Sequence, residues 1–335
     1  MIARPPSLWR ALRRRRLCTA ALALLGVLGL TALFADLLAS DLPVLLRFGG
    51  ETYVLPSLTR PAALRAHDNQ RLRKELVADR GDWALMPLCP FGPEQQPEIL
   101  RPPPASPDRT HWLGTDDRGR DVFARLVHGS RVSLSVGLVS VAISVLCGLL
   151  LGVAAGYFRG RTDFVISRLI ELGLTFPTFV LILVVMGLRE RSSLLAIMLV
   201  LGLTRWTDVA RLVRAEALRI RELDFVLAAR AMGAGPLHII SWHVVPNLLG
   251  PVLVYAGFGV AGAILTESAL SFLGFGVPPP TASWGEVLSQ AMEHPESWWL
   301  TLCPGALLFL TITALNLVAE ALRDATDPRL RDPAG

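Results

Sequence analysis

Lysine is almost missing from this chain: Lys74 is its only one, and no glycine-rich run precedes it. A P-loop needs the pattern G-x-x-x-x-G-K-[ST], with the lysine reaching the phosphates. The chain therefore carries no nucleotide site of that kind. Charge is scarce as well. Asp, Glu, Lys and Arg make up 18% of the 335 residues, against about a quarter in an average soluble domain. Cysteine is sparse and scattered: Cys18, Cys147 and Cys303 fall in apolar stretches, and Cys89 stands alone in a Pro-rich loop. No disulfide or zinc spacing results. The net charge of +5 rests almost wholly on Arg, clustered in the N-terminal segment, one internal loop and the C-terminus. That placement, between apolar stretches, suits topology setting and not nucleic-acid binding, which wants a basic face on a soluble fold.

What is abundant is apolar sequence. Hydrophobic residues make up 52% of the chain and mean hydropathy is +0.47. A helical membrane span needs roughly 20 mostly apolar residues, and several stretches reach that length. Arg10 and Arg13–Arg16 precede a first run at about 17–38. A signal peptide is the competing reading there, but a signal h-region is usually about 7–15 residues long, which favours a retained anchor. Residues 40–130 alternate both charges with prolines, including Pro102–Pro104, and read as an extramembrane region of mixed structure. At its end, Gly119–Gly129 sets Val122, Leu126 and Val127 against Arg120 and Arg125. This pattern predicts an interfacial amphipathic helix.

Five more spans are expected at about 132–157, 164–188, 193–212, 247–267 and 298–319. Gly148, Gly152 and Gly156 recur every four residues in the second span, a spacing that lets helix backbones approach closely in lipid. With the N-terminus cytoplasmic, Arg159, Arg161, Arg211, Arg214, Arg219, Arg221, Arg230, Arg323, Arg329 and Arg331 all fall inside. The outside receives the long 40–130 region and the short Arg189–Arg191 turn. Both termini are then cytoplasmic, and Trp298 and Trp299 open the last helix at the outer interface. The expected organisation is a cytoplasmic segment 1–16, an anchor helix 17–38, a periplasmic region 39–131, a core 132–320 with a cytoplasmic loop 213–246, and a tail 321–335.

Between the fourth and fifth spans lies ELDFVLAARAMGAGPLHIISWHVVPN, residues 222–247. Phe225, Val226, Ala229 and Met232 have helical spacing, and Gly233–Pro236 stops one helix and restarts another. Leu237, Ile240 and Val244 form the next stripe, and Pro246 ends it. Ala228, Ala229 and Ala231 leave a small-residue surface that another protein can approach. His238 and His243, five apart, are placed on different helix faces and make no metal pair.

This segment resembles the coupling ("EAA") loop of ATP-binding cassette importer permeases, through Ala228–Ala229, Gly233 and His243-Val-Val-Pro246-Asn247. Its flanks resemble the oligopeptide, dipeptide and nickel branch: HWLGTDDRGRDVFARLVHGSRVSL (111–134), GYFRGRTDFVISRLIEL (156–172), ESALSFLGFGVPPPTASWGEVL (267–288) and ALRDATDPRL (321–330). The FGGETYVLP stretch and the long first loop are similar to Yej-type permeases, linked to peptide and microcin C uptake. The resemblance implies an all-α membrane protein of six transmembrane helices: a MetI-like five-helix core, an anchor helix and a periplasmic region. It implies a non-catalytic inner-membrane subunit that binds no cofactor, while partner ATPases use ATP and Mg. The implied partners are a second, homologous permease, two ATPases or one double ATPase, and a periplasmic solute-binding protein. The implied coupling residues are Leu227, Ala228, Ala229, Arg230, Gly233, Ala234, His243, Pro246 and Asn247. Leu227 stands where the motif has Glu, so docking is expected to lean on Gly233, Arg230 and apolar contact. A candidate outer gate comprises Glu267, Ser268, Phe272, Gly274 and Gly276. Oligopeptides or peptide-like antibiotics are the first expected cargo, dipeptides or nickel the second.

Two other classes compete. An ion-coupled transporter or channel would place ionisable residues deep in several spans and usually show an internal repeat; neither is visible. A membrane-bound enzyme would use His67, Asp68 and Glu75, which form no metal or nucleophile constellation. Within the spans, Glu171 is expected to pair with Arg168, and Arg205 with Asp208. Residues 271–284, with Gly274–Gly276 and Pro278–Pro280, cannot continue a helix and read as a turn packed against the translocation path in contact with a binding protein, or else as an ordinary external loop.

Overall fold

A computed structural model describes residues 16–64, 67–76, 81–96, 102–188 and 193–326. The Arg cluster before residue 16, the Arg189–Arg191 turn, and Arg329 and Arg331 lie outside these residues. The chain divides into two compact units. One draws on Met1–Leu25, Val136–Thr266 and Thr311–Gly335, the other on Gly26–Ser135 and Glu267–Leu310.

Helices stand at all six expected positions: α1 (Arg16–Leu33), α3 (Val122–Phe158), α4 (Gly160–Thr175) with α5 (Thr178–Gly187), α6 (Leu194–Ile220), α9 (Val245–Phe272) and α11 (Trp298–Thr326). Among the described residues, Arg16–Leu33, Val122–Phe158, Pro236–Phe272 and Trp298–Thr326 are long and apolar enough to cross a membrane. α4 and α5 make a fifth span if that pair, bent by 78°, counts as one. The bend corrects the expected single helix at 164–188. Pro177 lacks a donor and pushes the preceding Phe176 into extended backbone (φ −95°, ψ 133°), which a continuous helix cannot hold. α6 is helical throughout, but Arg205, Asp208 and Arg211 shorten its apolar stretch.

The separate interfacial helix expected at 119–129 is also corrected. Asp121 caps a helix that begins at Val122 and runs unbroken to Phe158, accepting the Ala124 amide at 2.8 Å. At 1.5 Å per residue these 37 residues span about 56 Å, far beyond a hydrocarbon core of about 30 Å.

In the first unit, α3 packs on α6 through its glycines. Gly148 faces Val209, and a Cβ added at Gly152 or Gly156 would come 2.7 Å from the backbone oxygen of Ala210 or Arg214. In lipid, where burial of apolar groups gives no drive, such close approach is what holds helices together. Asp163 on α4 accepts two bonds from the Arg214 guanidinium on α6, at 2.5 and 2.8 Å. Arg168 and Glu171 pair as expected, although both are more than half exposed, where an ion pair contributes about 0–1 kcal/mol. The expected Arg205–Asp208 pair does not form. Arg205 donates instead to Thr266 Oγ1 at 3.0 Å, and Asp208 lies 3.6 Å from Arg211.

In the second unit, the 40–130 region adds to the helices an antiparallel three-stranded sheet, β1 (Leu45–Phe48), β2 (Glu51–Val54) and β3 (Trp83–Leu85), in the order β2-β1-β3. Gly49 and Gly50, both at positive φ, close the β1–β2 hairpin, as a two-residue loop between twisted strands requires. Leu42, Leu46, Leu64 and Leu72 form its core. Asp68 caps α2 (Asn69–Glu75), and His67 Nε2 meets Glu75 at 3.1 Å, so all three serve local structure.

Gly152→Val is expected to lower the detergent-solubilised protein's unfolding temperature, because overpacking a tight contact costs about 1–3 kcal/mol. Gly26→Ala, where nothing lies within 4 Å, should leave it unchanged. Thermal unfolding followed by size-exclusion recovery checks both.

Candidate functional site

The loop after α6 folds as a helical hairpin built from the spacing of its glycines and prolines. α7 (Asp224–Ala231) ends in a Schellman motif: Gly233, at φ +84°, donates to Arg230 O, and Ala234 donates to Ala229 O, both at 3.0 Å. Gly233 supplies the left-handed residue that this closure needs. Pro236 then opens α8 (Pro236–Ile239) at the position where its missing N–H costs nothing. A π-helical turn at Ile240–Val244 comes next, closed by the Val245 amide on Ile240 O. Pro246 was expected to end the helix. Instead the helix widens and runs through it into α9. Pro246 has no N–H for the carbonyl four residues back and its ring crowds that carbonyl, and the wide turn relieves both problems.

One face of the hairpin belongs to the bundle. Val226, Ala229, Ile239, Val244 and Leu248 are buried with Val153, Tyr157, Val213, Ala217 and Ile220. The expected stripes therefore split. Ala229 packs inward and is no part of an approachable surface, whereas Ala228 and Ala231 are exposed. Outward stand Phe225, Leu227, Met232, Leu237 (79% exposed) and Trp242 (71%). Gly233 and Gly235 have open space around them. Pro246 and Asn247 are exposed, and the Asn247 amide donates to His243 O at 2.7 Å. Arg230 is exposed, with its guanidinium 5.8 Å from the Tyr157 ring centre. His238 and His243 do share a face, with ring centres 6.0 Å apart. A π turn brings residues five apart into line, where an α-helix would separate them. Phe225 lies 6.0 Å from the His243 ring, and Trp242 stacks on His238 at 6.2 Å. Among the described residues no three metal-ligating side chains gather.

In the second unit, Glu267 is fully buried and accepts from Ser271 at 2.8 Å and Ser283 at 2.9 Å, with Ser268 at 3.5 Å. Ser283 also caps α10 (Trp284–Ser289), accepting from the Glu286 amide. Gly276 lies against Ser271, leaving no room for a side chain, and Gly274 turns the chain at φ +84°. Of the candidate gate residues, Glu267 and Ser268 thus tie the turn to α9, while Phe272 stands exposed beside Leu273 and Phe275. The turn at 271–284 is anchored by the buried Trp284, whose indole N–H donates to Leu126 O at 3.0 Å against Gly129. Trp298 is exposed as expected at an interface, but Trp299 is buried and donates to Thr115 O.

Sequence reasoning missed one cluster. Arg120 and Arg125, expected on a solvated helix face, are both buried. Asp116 accepts from Arg120 Nε at 2.6 Å and lies 3.3 Å from Arg125 Nε. Arg125 also donates to Glu286 and to Pro93 O, and Gln290 donates to Glu286 at 3.1 Å. The dense mixed charge of Asp116–Asp121 around Gly119 was the available signal: both signs in one tight turn can neutralise each other inside. Next to this cluster the Cys89 thiol points at Asp121 at 3.5 Å. Burial and the nearby carboxylate hold it protonated far above the ordinary thiol range.

Membrane-length helices, with a hairpin that presents apolar side chains outward between two of them, define a multi-span protein with an exposed apolar ridge. Residues 148–332 match the family described as the binding-protein-dependent transport system inner membrane component. A Brucella suis biovar 1 (strain 1330) protein named as a peptide permease is 41% identical over 67% of this chain and 75% of its own length. The di/tripeptide transport system permease protein DppC of Pseudomonas aeruginosa (strain UCBPP-PA14) is 36% identical over 74% of this chain and 83% of its own. Among solved structures, the inward-facing MetNI methionine ABC transporter matches with a TM-score of 0.49 and 17% identity, over 61% of this chain and 96% of that one. This chain belongs to the family of binding-protein-dependent transport system inner membrane components. It is a non-catalytic permease subunit of an inner-membrane ABC transporter that works with ATPase and binding-protein partners.

Glu286→Ala should destabilise the protein by about 3–5 kcal/mol, since it strands buried guanidinium charge. Denaturant unfolding of the purified protein measures this. Cys89 should resist maleimide on the folded protein at pH 8 and label only after denaturation, as read by mass spectrometry.

Proposed function

We propose that this chain is the permease half of an ATP-driven peptide importer and that the hairpin from Ala228 to Asn247 is where its ATPase docks. The observation that carries this reading is the split character of the hairpin. One face is part of the bundle core, while the other holds Leu227, Met232, Leu237 and Trp242 in the open. Exposed large apolar side chains grouped on one element mark a protein interface. With Leu227 in place of an acid, the contact works mainly through shape and apolar burial, with the exposed Arg230 beside it. The pathway opens to one side or the other as ATPase closure pushes the hairpin.

Arg placement supports six spans with both termini cytoplasmic and the 39–131 region periplasmic. Partner ATPases, as two subunits or one double chain, use ATP and Mg, since the only lysine here belongs to no P-loop. A second, homologous permease completes the pathway, and a periplasmic binding protein delivers the cargo. The names carried by the relatives, peptide and di/tripeptide permeases, favour peptides over nickel. The choice of oligopeptides or peptide-like compounds such as microcin C within that class rests on the resemblance of the FGGETYVLP stretch and the long first loop alone.

Leu237→Glu should leave membrane insertion intact and cut ATP-driven peptide uptake into proteoliposomes roughly 30-fold, the effect of losing an interface anchor worth about 2 kcal/mol. Gly233→Glu should abolish uptake as well. Wild-type uptake by both variants would overturn the docking assignment.

A further inference from the structure

α11 carries a second pattern that docking does not use. Thr313, Asn316, Glu320 and Arg323 succeed one another at intervals of three, four and three, which puts them along one helix face. All four are exposed, and their side chains make no hydrogen bond or ion pair with the described residues. α11 is one of the helices apolar enough to cross a membrane. Asn316 lies within its expected span, and Glu320 stands at the edge. Against lipid, the Thr313 hydroxyl and the Asn316 amide would be left unsatisfied at a cost of roughly 2–7 kcal/mol each, with the charges of Glu320 and Arg323 at and beyond the edge of the span. This face is therefore not a lipid face.

Two kinds of cover remain, another helix or water. Where helices of this unit touch closely, they do so through glycine. Gly148, Gly152 and Gly156 face α6, and a Cβ on Gly257 of α9 would come 2.8 Å from Ala319 of α11. The polar stripe contains no such small residue. Beside the Gly257–Ala319 contact it opens a cavity of about 440 Å³, walled by Phe258 and Leu317 and the four polar side chains. A hydroxyl, an amide and charges of both signs suit the donors, acceptors and charged ends of a peptide. They suit a close-packed helix poorly.

We infer that Thr313, Asn316, Glu320 and Arg323 form a water-filled lining that contacts the polar main chain of the peptide in transit. The inference rests on the permease reading above. On the same helix, Phe309 (68% exposed) and Leu302 (60%) supply the apolar comparison.

The test uses the complete transporter in proteoliposomes, with Cys18, Cys89, Cys147 and Cys303 replaced by alanine. Thr313→Cys and Asn316→Cys should react with a charged methanethiosulfonate roughly tenfold faster than Phe309→Cys, as expected for wet against lipid-facing positions. Saturating peptide should slow that reaction. Asn316→Leu should reduce peptide uptake roughly tenfold while expression and assembly are unchanged. Labelling at 316 no faster than at 309, or protection of 316 by the second membrane subunit alone, would overturn the lining. If the wild-type transporter moves no peptide yet 316 still labels fast, the lining stands and the cargo reading fails instead.

Discussion

The first unit depends on the close approach of α3 and α6. Three glycines, one per turn, let the backbone of α6 come so near that a Cβ at Gly152 or Gly156 would meet it at 2.7 Å. Backbones that close bring many real atoms into contact, and dispersion between them is individually small and collectively large; in lipid no hydrophobic drive adds to it. Gly202 of α6 adds the reciprocal contact, lying against Ser140 O and Ile143. Because α6 runs directly into the hairpin, the glycine seam also fixes where Val226 and Ala229 enter the core. Tyr157, near the end of α3, then receives the guanidinium groups of both Arg221 and Arg230. Arg221 is half-buried there and also donates to Tyr157 O, while Arg230 stays exposed.

The second unit is held by different chemistry. Glu267 is satisfied by serine hydroxyls, and Asp116 and Glu286 by two buried arginines. Buried ionic groups repay their desolvation only with good geometry and further hydrogen bonds, and here backbone amides of Arg118 and Arg120 add to Asp116 at 3.0 and 2.8 Å. Such an arrangement tolerates little substitution. Close-fitting shape defines one unit and buried ion pairs and hydrogen bonds define the other.

The spans and the hairpin were legible because each rests on a local signal: apolar length, a Gly–Pro break, glycines at intervals of four. The partner of a charge was harder to read. Arg205 was expected on Asp208 because sequence offers only near neighbours, whereas Thr266 comes from another helix. Arg125 looked like a solvated residue because its partner Glu286 is 161 positions away. The bend at Pro177 is masked in sequence by the apolar residues on both sides of it, which give one run of spanning length. The meeting of His238 and His243 was hidden by assuming 3.6 residues per turn where the chain uses a π turn.

That π turn has a consequence for how the hairpin could be re-aimed. Inserting or removing one residue in a helix rotates the part before it by about 100° relative to the part after it. Leu237 on one side of Ile240–Val244 and Leu248 on the other keep their present phase across this wide turn. A single-residue deletion that restored ordinary helix would swing Leu237 off its present heading and leave the span after it unchanged. The bearing of the ridge is thus set by one residue's worth of helical slack. A length change there would re-aim the ridge with no new side chain.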